Sequence, residues 1–301
     1  MQKLVDIIFY RRYNTGIVKS KIIQGDKKMK KILTLLLTVI LGVACCFGFA
    51  GCGENATVKI GSQSGTTGAM YADCLKGCEV SYYDTFALAA QDLKNGKVEY
   101  VVVDGATAQS LKNDISGLKV IDIELSSEYY GIAVDKAQPE LLSSINTILE
   151  SKKAEIDAII EKYMNDDEEN FVPVASAVKD ESKAATQLVV ATNAEFPPFE
   201  SISGDKYVGI DIEIAKIIAD ELGLELVIDN MQFDAVVQSI GTHSVDIGMS
   251  GLTITAERKK SVNFANPYYI ESQYILTLES NTKLDDCMTV IDVLNVLTAN
   301  K

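Results

Sequence analysis

Two stretches of this chain alternate short apolar segments with amphipathic helical patterns, and this alternation restricts the fold more than any other feature. The first stretch, from Thr57 to Tyr163, predicts strands over Thr57–Ile60 and Tyr100–Val103 and helices over Thr85–Leu93 and Leu141–Ile148. The second predicts strands over Leu188–Ala191, Leu224–Ile228 and Val245–Gly248 and helices over Ile210–Leu222 and Phe233–Ile240. Strands that alternate with helices form mostly parallel sheets, so the sequence predicts an α/β fold.

A polar segment, residues 165–187, separates the two stretches. It contains four consecutive acidic residues (166–169), Pro173 and a polar run from Lys179 to Lys183, which is typical of a solvated linker. A length of 301 residues fits about two domains. The two stretches share a class of fold, but no motif repeats between them.

The N-terminal region has the pattern of an export signal. Met29-Lys30-Lys31 precedes an apolar run that ends in Ala50-Gly51-Cys52, and a charged start, an apolar run and small residues at a cleavage point make a secretory signal. The cysteine after Ala-Gly resembles a bacterial lipobox, which implies lipidation of Cys52. We interpret residues 1–28 as an untranslated extension and residues 29–51 as the signal peptide. An uncleaved transmembrane helix is the alternative, because the apolar run is nearly long enough to span a bilayer.

Charge and residue types exclude several functions. Residues 1–52 contain nine basic and two acidic residues, so the remainder of a chain of net charge −14 carries −21. Such acidity disfavours nucleic-acid binding. His243, the single histidine, lies in a polar turn, and without a histidine partner the usual activation of a serine or cysteine nucleophile is not available. No cluster has metal-ligand spacing. The sequence therefore predicts binding without a cofactor or metal, and no enzyme.

Polar residues follow several predicted strands, where open α/β sheets bind ligands. Gly61–Gly68 could form an anion site with Thr66 and Thr67, or a turn with a threonine N-cap. The loop from Met249 to Arg258 offers Ser250, Gly251, Thr253 and the guanidinium of Arg258, which suits a carboxylate but could instead pair with a surface acid.

Two further positions belong to the same set. Asp104 ends a buried strand, where it could hold an ammonium group or cap the next helix. The segment from Asn193 to Glu200 contains Phe196 and Phe199 around two prolines. These aromatic side chains could form the wall of a pocket, although for Phe199 we prefer a place in the core.

Together these motifs resemble the amino-acid-binding proteins of ABC transporters (solute-binding family 3, with a type II periplasmic-binding-protein fold). Gly209–Lys216, Leu252–Arg258 and Asn263–Tyr269 resemble lobe 1 of that family; Ile60–Gly68, Val101–Asp104 and Glu128–Val134 resemble lobe 2. The resemblance implies two α/β lobes that close on a ligand about a hinge.

The resemblance also implies roles for the site residues. Arg258, Thr66 and Thr67 would bind the ligand α-carboxylate, Asp104 and the loop from Ser250 through Gly251 to Thr253 its α-ammonium, and Phe196 and Phe233 would flank its side chain. Asn193 stands where binders of cationic side chains often have an acid, which favours a neutral polar or small amino acid.

The order of the segments departs from the family. Relatives run from lobe 1 to lobe 2 and then to the closing helices, so this chain has the order of a circular permutation. We divide it into lobe 2 (55–135), C-terminal helices packing on lobe 1 (136–165), a linker (166–186), lobe 1 (187–279) and a helix returning to lobe 2 (280–301). The resemblance leaves room for a Cys78–Cys287 disulfide that would tie this last helix to lobe 2.

We therefore expect a monomeric, lipid-anchored receptor on the extracellular face of the cytoplasmic membrane, which binds a free amino acid and delivers it to an ABC permease. One alternative is a non-functional or partner-requiring fragment of a tandem binding protein. Another is a dehydratase on the same fold.

Overall fold

The computed structural model describes residues 57–165 and 168–298, which carry fifteen strands and eight helices. In chain order these are β1 (Lys59–Gln63), α1 (Thr67–Asp73), β2 (Glu79–Tyr83), α2 (Phe86–Lys94), β3 (Tyr100–Asp104), α3 (Gly105–Asp114), β4 (Leu118–Ile121), β5 (Glu128–Tyr130), β6 (Ala133–Val134), α4 (Pro139–Ser151), α5 (Lys153–Met164), β7 (Gln187–Thr192), β8 (Glu195–Phe196), β9 (Glu200–Ser203), β10 (Lys206–Val208), α6 (Ile210–Leu222), β11 (Glu225–Asn230), α7 (Phe233–Gly241), β12 (Ile247–Gly248), β13 (Asn263–Phe264), β14 (Tyr269–Glu271), β15 (Gln273–Leu278) and α8 (Val290–Thr298). The extension, the signal peptide and Cys52 lie outside the described residues.

The two five-stranded sheets have the same strand order when the strands of each sheet are compared by position and direction. In lobe 2 the order is β2-β1-β3-β15-β4, with β1, β2 and β3 parallel and β15 antiparallel to its neighbours. In lobe 1 the order is β11-β7-β12-β6-β13, and β6 is the strand that runs against its neighbours. Each sheet therefore takes its antiparallel strand from the other half of the sequence. The predicted two-lobed α/β fold is confirmed.

A short antiparallel ladder joins the lobes. β5 pairs with β14, with Tyr130 opposite Tyr269 and Glu128 opposite Glu271. After this ladder the chain enters lobe 1 as β6 and lobe 2 as β15. The chain therefore crosses between the lobes twice, just after Tyr130 and just after Glu271.

The hydrophobic core consists of elements that other elements cover on both sides. All five residues of β3 are buried, as expected for a central parallel strand with helices on both faces. Helix α6 begins after Gly209 and ends at Gly223, which has the left-handed conformation common after a helix. Its residues Ile210, Ile214 and Ile218 are fully buried, one helical turn apart.

The linker contacts lobe 1 at two points, although residues 181–186 are all exposed. Val174 is buried and forms an antiparallel bridge with Tyr207, and the amide of Ala177 donates to the carbonyl of Leu226. This part of the linker therefore packs along lobe 1. The edge strands there have free peptide groups, which the linker backbone satisfies.

Helix α8 packs against lobe 2 without the disulfide that the sequence left room for. Cys78 and Cys287 are not joined by a disulfide in the structure; instead the Cys78 thiol donates to the carbonyl of Leu297 at 3.4 Å. The helix buries Val293 and Leu297, which supply its noncovalent attachment.

Gly209 is a position where a side chain cannot be accommodated. Its φ is +140°, and a Cβ atom would lie 2.0 Å from the carbonyl oxygen of Phe199. We expect Gly209→Ala to lower the free energy of unfolding by roughly 3 kcal/mol or more, because backbone strain and a backbone clash add. Urea denaturation measures this loss. Gly204→Ala is the matched control for positive φ, since no atom lies within 4 Å of its Cβ; an equal loss in both variants would show that the clash contributes nothing.

Candidate functional site

The strand ends and loops singled out in the sequence meet at one cavity between the lobes. Lobe 2 contributes the end of β1, the start of α1 and the end of β3; lobe 1 contributes the loops after β7 and β12 and the start of α7. The cavity is small, with about 240 Å³ of empty space including its mouth, and is lined by Gln63, Thr66, Thr67, Asp104, Phe196, Phe233, Gly251, Thr253 and Arg258. Eight of the ten predicted ligand-binding residues therefore line one cavity.

Arg258 supplies the positive charge of the cavity wall. It is 8% exposed, and its guanidinium donates to the carbonyl of Thr253 at 2.9 Å and, across the cleft, to that of Gly65 at 3.1 Å. The guanidinium carbon Cζ of Arg258 lies 5.4 Å from the ring centre of Phe233, which is a cation–π contact. Burial lowers the pKa of Arg258. No ion pair among the described residues includes it, so the predicted alternative of a surface pair does not apply.

Asp104 supplies a carboxylate on the opposite lobe. Its Oδ1 accepts hydrogen bonds from the Tyr130 hydroxyl at 2.5 Å and from the Gln273 amide at 2.8 Å. It precedes α3 but makes no side-chain cap bond, so the helix-cap alternative does not hold. Burial first, and then the neighbouring Glu128 and Glu271, raise the pKa of Asp104 well above its usual range.

The two threonines at the start of α1, Thr66 as its N-cap and Thr67 as its first residue, form different hydrogen bonds. The Thr66 hydroxyl donates to the carbonyl of Gln63 and accepts from the amide of Ala69, so it caps α1. The Thr67 hydroxyl donates to Glu128 at 2.7 Å, as does the Thr253 hydroxyl from lobe 1. The N-cap alternative for the glycine-rich loop therefore holds for Thr66, although Thr66 also reaches the cavity.

Two predicted residues support the cavity rather than line it. The Ser250 hydroxyl donates to Glu200 at 2.6 Å and accepts from the amide of Asn193 at 3.1 Å. The Asn193 side chain accepts from Gln63 at 2.9 Å and donates to the carbonyl of Met231 at 3.0 Å. The bond from Gln63 to Asn193 crosses the cleft, so Asn193 lies behind Gln63 as seen from the cavity.

A second pair of carboxylates lies under the lobe 1 loop. Asp211 accepts from the amide of Gly251 at 2.9 Å and from the Tyr268 hydroxyl at 2.6 Å, while Glu200 accepts from Ser250. Burial raises the pKa of Asp211 to about 6 and that of Glu200 well above its usual range. These two acids fix the backbone of the loop that forms one wall of the cavity.

The buried acids predict a specific pH dependence of stability. Burial also raises the pKa of Glu271, to about 7. A carboxyl whose pKa is raised in the folded state holds its proton more tightly there, so stability falls as pH rises from about 4 to about 7. We expect the free energy of unfolding to decline by about 2 kcal/mol or more across that range.

Urea denaturation at several pH values measures the decline. Glu271→Gln should make the slope shallower, and Glu195→Gln, an exposed position, should leave it unchanged. A slope that is the same in Glu271→Gln and the parent would contradict the assignment.

Several residues of the site are not among those that the sequence predicts. Gln63 ends β1 within the segment Gly61–Gly68, and its side chain lines the cavity. Glu128 and Gln273 lie on or next to the hinge strands, and Glu200 and Asp211 are polar residues in otherwise apolar surroundings. A buried acid inside an apolar segment is the signal that could have found them.

No helix within residues 57–165 and 168–298 is sufficiently long and apolar to cross a bilayer. No group of three or more histidine, cysteine or acidic side chains there is arranged to hold a metal ion.

Comparison with known proteins identifies the family. Residues 188–296 match the sequence profile of the bacterial extracellular solute-binding proteins, family 3. Over these residues the chain belongs to this family. Among curated solute-binding proteins, the arginine-binding extracellular protein ArtP of Bacillus subtilis is 37% identical over 91 residues, which are 30% of this chain and 36% of ArtP. ABC transporter arginine-binding protein 1 of Escherichia coli is 34% identical over 103 residues, 34% of this chain and 42% of the relative.

Among solved structures of solute-binding proteins, the arginine-bound form of domain 1 from TmArgBP is 37% identical to this chain. The match covers 40% of this chain and 98% of that one, with a TM-score of 0.28. The chain spans about two fifths of the length of the curated relatives that it matches. These relatives are described as binding proteins.

Proposed function

We propose that this protein binds one free amino acid between its two lobes, as the substrate receptor of an ABC importer. The observation that carries the proposal is Arg258, a buried guanidinium with two backbone acceptors and no direct ion pair among the described residues; Glu128 and Asp104 act on its charge without forming one. A buried charge without a counter-ion in direct contact is costly. A ligand carboxylate would supply that counter-ion through paired hydrogen bonds.

The opposite wall suits the other end of an amino acid. Asp104 faces the same cavity from lobe 2, with Oδ1 held by Tyr130 and Gln273. An ammonium bound at Asp104 and a carboxylate bound at Arg258 would connect the two lobes through one zwitterion. A ligand without either group would leave a buried charge unpaired, and this gives selectivity.

The side-chain end of the cavity carries no charge. It is formed by Gln63, backed by Asn193, and by the rings of Phe196 and Phe233. These groups favour a neutral polar or small side chain, although the two relatives described above are named as arginine-binding proteins.

Closure about the hinge is part of the proposal. Bonds from Gln63 to Asn193, from Arg258 to Gly65 and from Thr107 to the carbonyl of Pro197 at 3.0 Å all cross the cleft. The chain joins the lobes covalently through the segments between β5 and β6 and between β14 and β15. Rotation about these segments would break the three bonds and open the site.

The order of the lobes is also a proposal, namely a circular permutation of the family order. The shared strand order supports it, because each half supplies four strands to its own sheet and one to the other. Exchanging the order of the two halves in the sequence would then leave the strand pairing in both sheets unchanged. Val58 accepts from the amide of Glu79, and Leu297 accepts from Cys78. A direct link from α8 to β1 would therefore span a short distance.

Export and anchoring complete the proposal. A signal over residues 29–51 and a lipid on Cys52 would hold lobe 2 to the extracellular face of the membrane, where the permease would receive the ligand. Mass spectrometry of the membrane fraction tests this. A diacylated N-terminal Cys52 peptide supports it, and an unmodified Cys52 within a longer chain contradicts it.

Thermal-shift screening of the folded chain with the twenty common amino acids tests the binding function. We expect a rise in melting temperature with at least one of them, because a ligand that binds only the folded state stabilises it. Size-exclusion chromatography of the same sample should give a monomer. A folded monomer that no amino acid stabilises would contradict the proposal, and binding only by a dimer would support the tandem-fragment alternative.

A further inference from the structure

The strongest unexplained group near the cavity is the carboxylate of Glu128. It lies on the hinge strand β5, is 5% exposed, and stands behind the cavity wall rather than in it. Its Oε2 accepts the hydroxyls of Thr67 from lobe 2 and Thr253 from lobe 1, each at 2.7 Å, and its Oε1 accepts that of Ser126 at 2.9 Å. One carboxylate thus receives three hydroxyl protons, two of them from residues that line the cavity.

A hydroxyl has a single proton, so a proton given to Glu128 cannot be given to a ligand. Both hydroxyl oxygens lie 2.7 Å from Oε2 of Glu128, a normal distance for an O–H···O hydrogen bond, so Glu128 is the acceptor of both protons. The oxygens of Thr67 and Thr253 then present lone pairs to the cavity. They can accept hydrogen bonds there and cannot donate them.

Gln273 gives independent support for this orientation. Its side-chain amide lies 3.3 Å from the Thr67 oxygen, and its backbone amide donates to the Ser126 oxygen at 2.9 Å. Both are N–H donors, so both hydroxyl oxygens already act as acceptors. The protons of Thr67 and Ser126 must therefore point elsewhere, and Glu128 is where they meet an acceptor.

We propose that Glu128 is a positioning residue that turns the Thr67 and Thr253 hydroxyls into acceptors for the ligand's ammonium group. This rests on the proposed amino-acid-binding function. It changes the role expected for Thr67, which moves from the carboxylate end to the ammonium end. The ammonium has three N–H donors, and Asp104, Thr67 and Thr253 offer it three acceptors. Since the two threonines come from opposite lobes, ammonium recognition would also be coupled to closure.

Isothermal titration tests the proposal with matched pairs of ligands. L-glutamine, L-arginine and L-histidine are each compared with the analogue that has hydrogen in place of the α-ammonium (4-carbamoylbutanoate, 5-guanidinopentanoate and imidazole-4-propanoate). For the tightest-binding amino acid, we expect Glu128→Gln to weaken affinity about tenfold to a hundredfold, since the amide has one acceptor oxygen where the carboxylate has two. Affinity for its analogue should stay within about threefold, so the preference for the amino acid falls.

Glu271→Gln is the matched control. It removes a buried acid from the opposing hinge strand, one that accepts backbone N–H groups rather than hydroxyls. Because Glu271 raises the pKa of Asp104, its replacement should not lower the preference for the amino acid. Equal losses for both ligands in Glu128→Gln would show a merely structural role, and an equal fall in preference in Glu271→Gln would show an effect of charge alone; either result overturns the inference.

The proposal and the binding function fail in different ways. If none of the twenty amino acids stabilises the folded parent chain, the proposed function fails and this inference fails with it. If the parent binds an amino acid and Glu128→Gln keeps its full preference over the analogue, only the role of Glu128 is wrong. Thermal unfolding of each variant without ligand establishes that it is folded.

Discussion

Arg258→Met should abolish measurable amino-acid binding by this protein. The guanidinium is the positive charge in the cavity wall, and removing one partner of a buried ion pair costs about 3–5 kcal/mol. That is a loss of affinity of roughly 100-fold to several thousandfold. Arg258→Lys keeps the charge but loses the planar pair of donors, so we expect it to lose at least about tenfold. Isothermal titration with the most stabilising amino acid measures both.

Arg258→Met should not lower the stability of the ligand-free protein. Without ligand, Arg258 is buried with two backbone acceptors, and replacing an unpaired buried charge by an apolar side chain removes a desolvation cost. We expect the melting temperature of ligand-free Arg258→Met to equal or exceed that of the parent. Lys259→Met, an exposed neighbour in the same short helix, should keep full affinity. Binding within threefold of the parent in Arg258→Met would contradict the role of Arg258.

Asp104→Asn should weaken binding by about a hundredfold. The asparagine can still accept from Tyr130 and Gln273, so the shape of the site is kept while the charge that meets the ammonium is lost. Hydrogen bonds between charged partners contribute about 1.5–3 kcal/mol, and leaving a buried ammonium without a counter-charge adds to the loss.

The pH dependence of affinity distinguishes Asp104 from its neighbours. Burial raises the pKa of Asp104, and the ammonium requires its ionised form, so affinity of the parent should rise with pH as the carboxyl loses its proton. Asp104→Asn should lack that part of the pH dependence. Asp114→Asn, at the exposed end of α3, the helix that follows Asp104, should behave as the parent does. An unchanged pH profile in Asp104→Asn would assign the titration to another group.

Much of the fold could be predicted because its signals are local. The run Tyr100–Val103 is apolar because β3 is covered on both faces, and Ile210, Ile214 and Ile218 repeat at the spacing of a helix. The glycine-rich loop and Asp104 follow strands, and the carboxyl ends of parallel strands meet at one edge. Chain position alone therefore brings Thr67, Asp104 and Arg258 to one cavity.

The rest depends on contacts between distant parts of the chain. Ser250 points to Glu200 and Asn193 to Gln63, and no local pattern determines which way a loop side chain turns. Glu128, Ser126 and Gln273 come together only when the two crossover strands pair, and Ser126 and Gln273 are 147 positions apart in the sequence. The contacts of Val174 and Ala177 in the linker are of the same kind, since the polar composition of the linker says nothing of the edge strands that they meet.

We expect one chain to form one complete amino-acid site from two lobes whose order in the sequence is exchanged. Isothermal titration of the monomer peak from size-exclusion chromatography, with the most stabilising amino acid, tests it most directly. We predict one ligand per chain, with the complex eluting as a monomer. A folded monomer that binds no amino acid, or one ligand for every two chains with elution as a dimer, would contradict it.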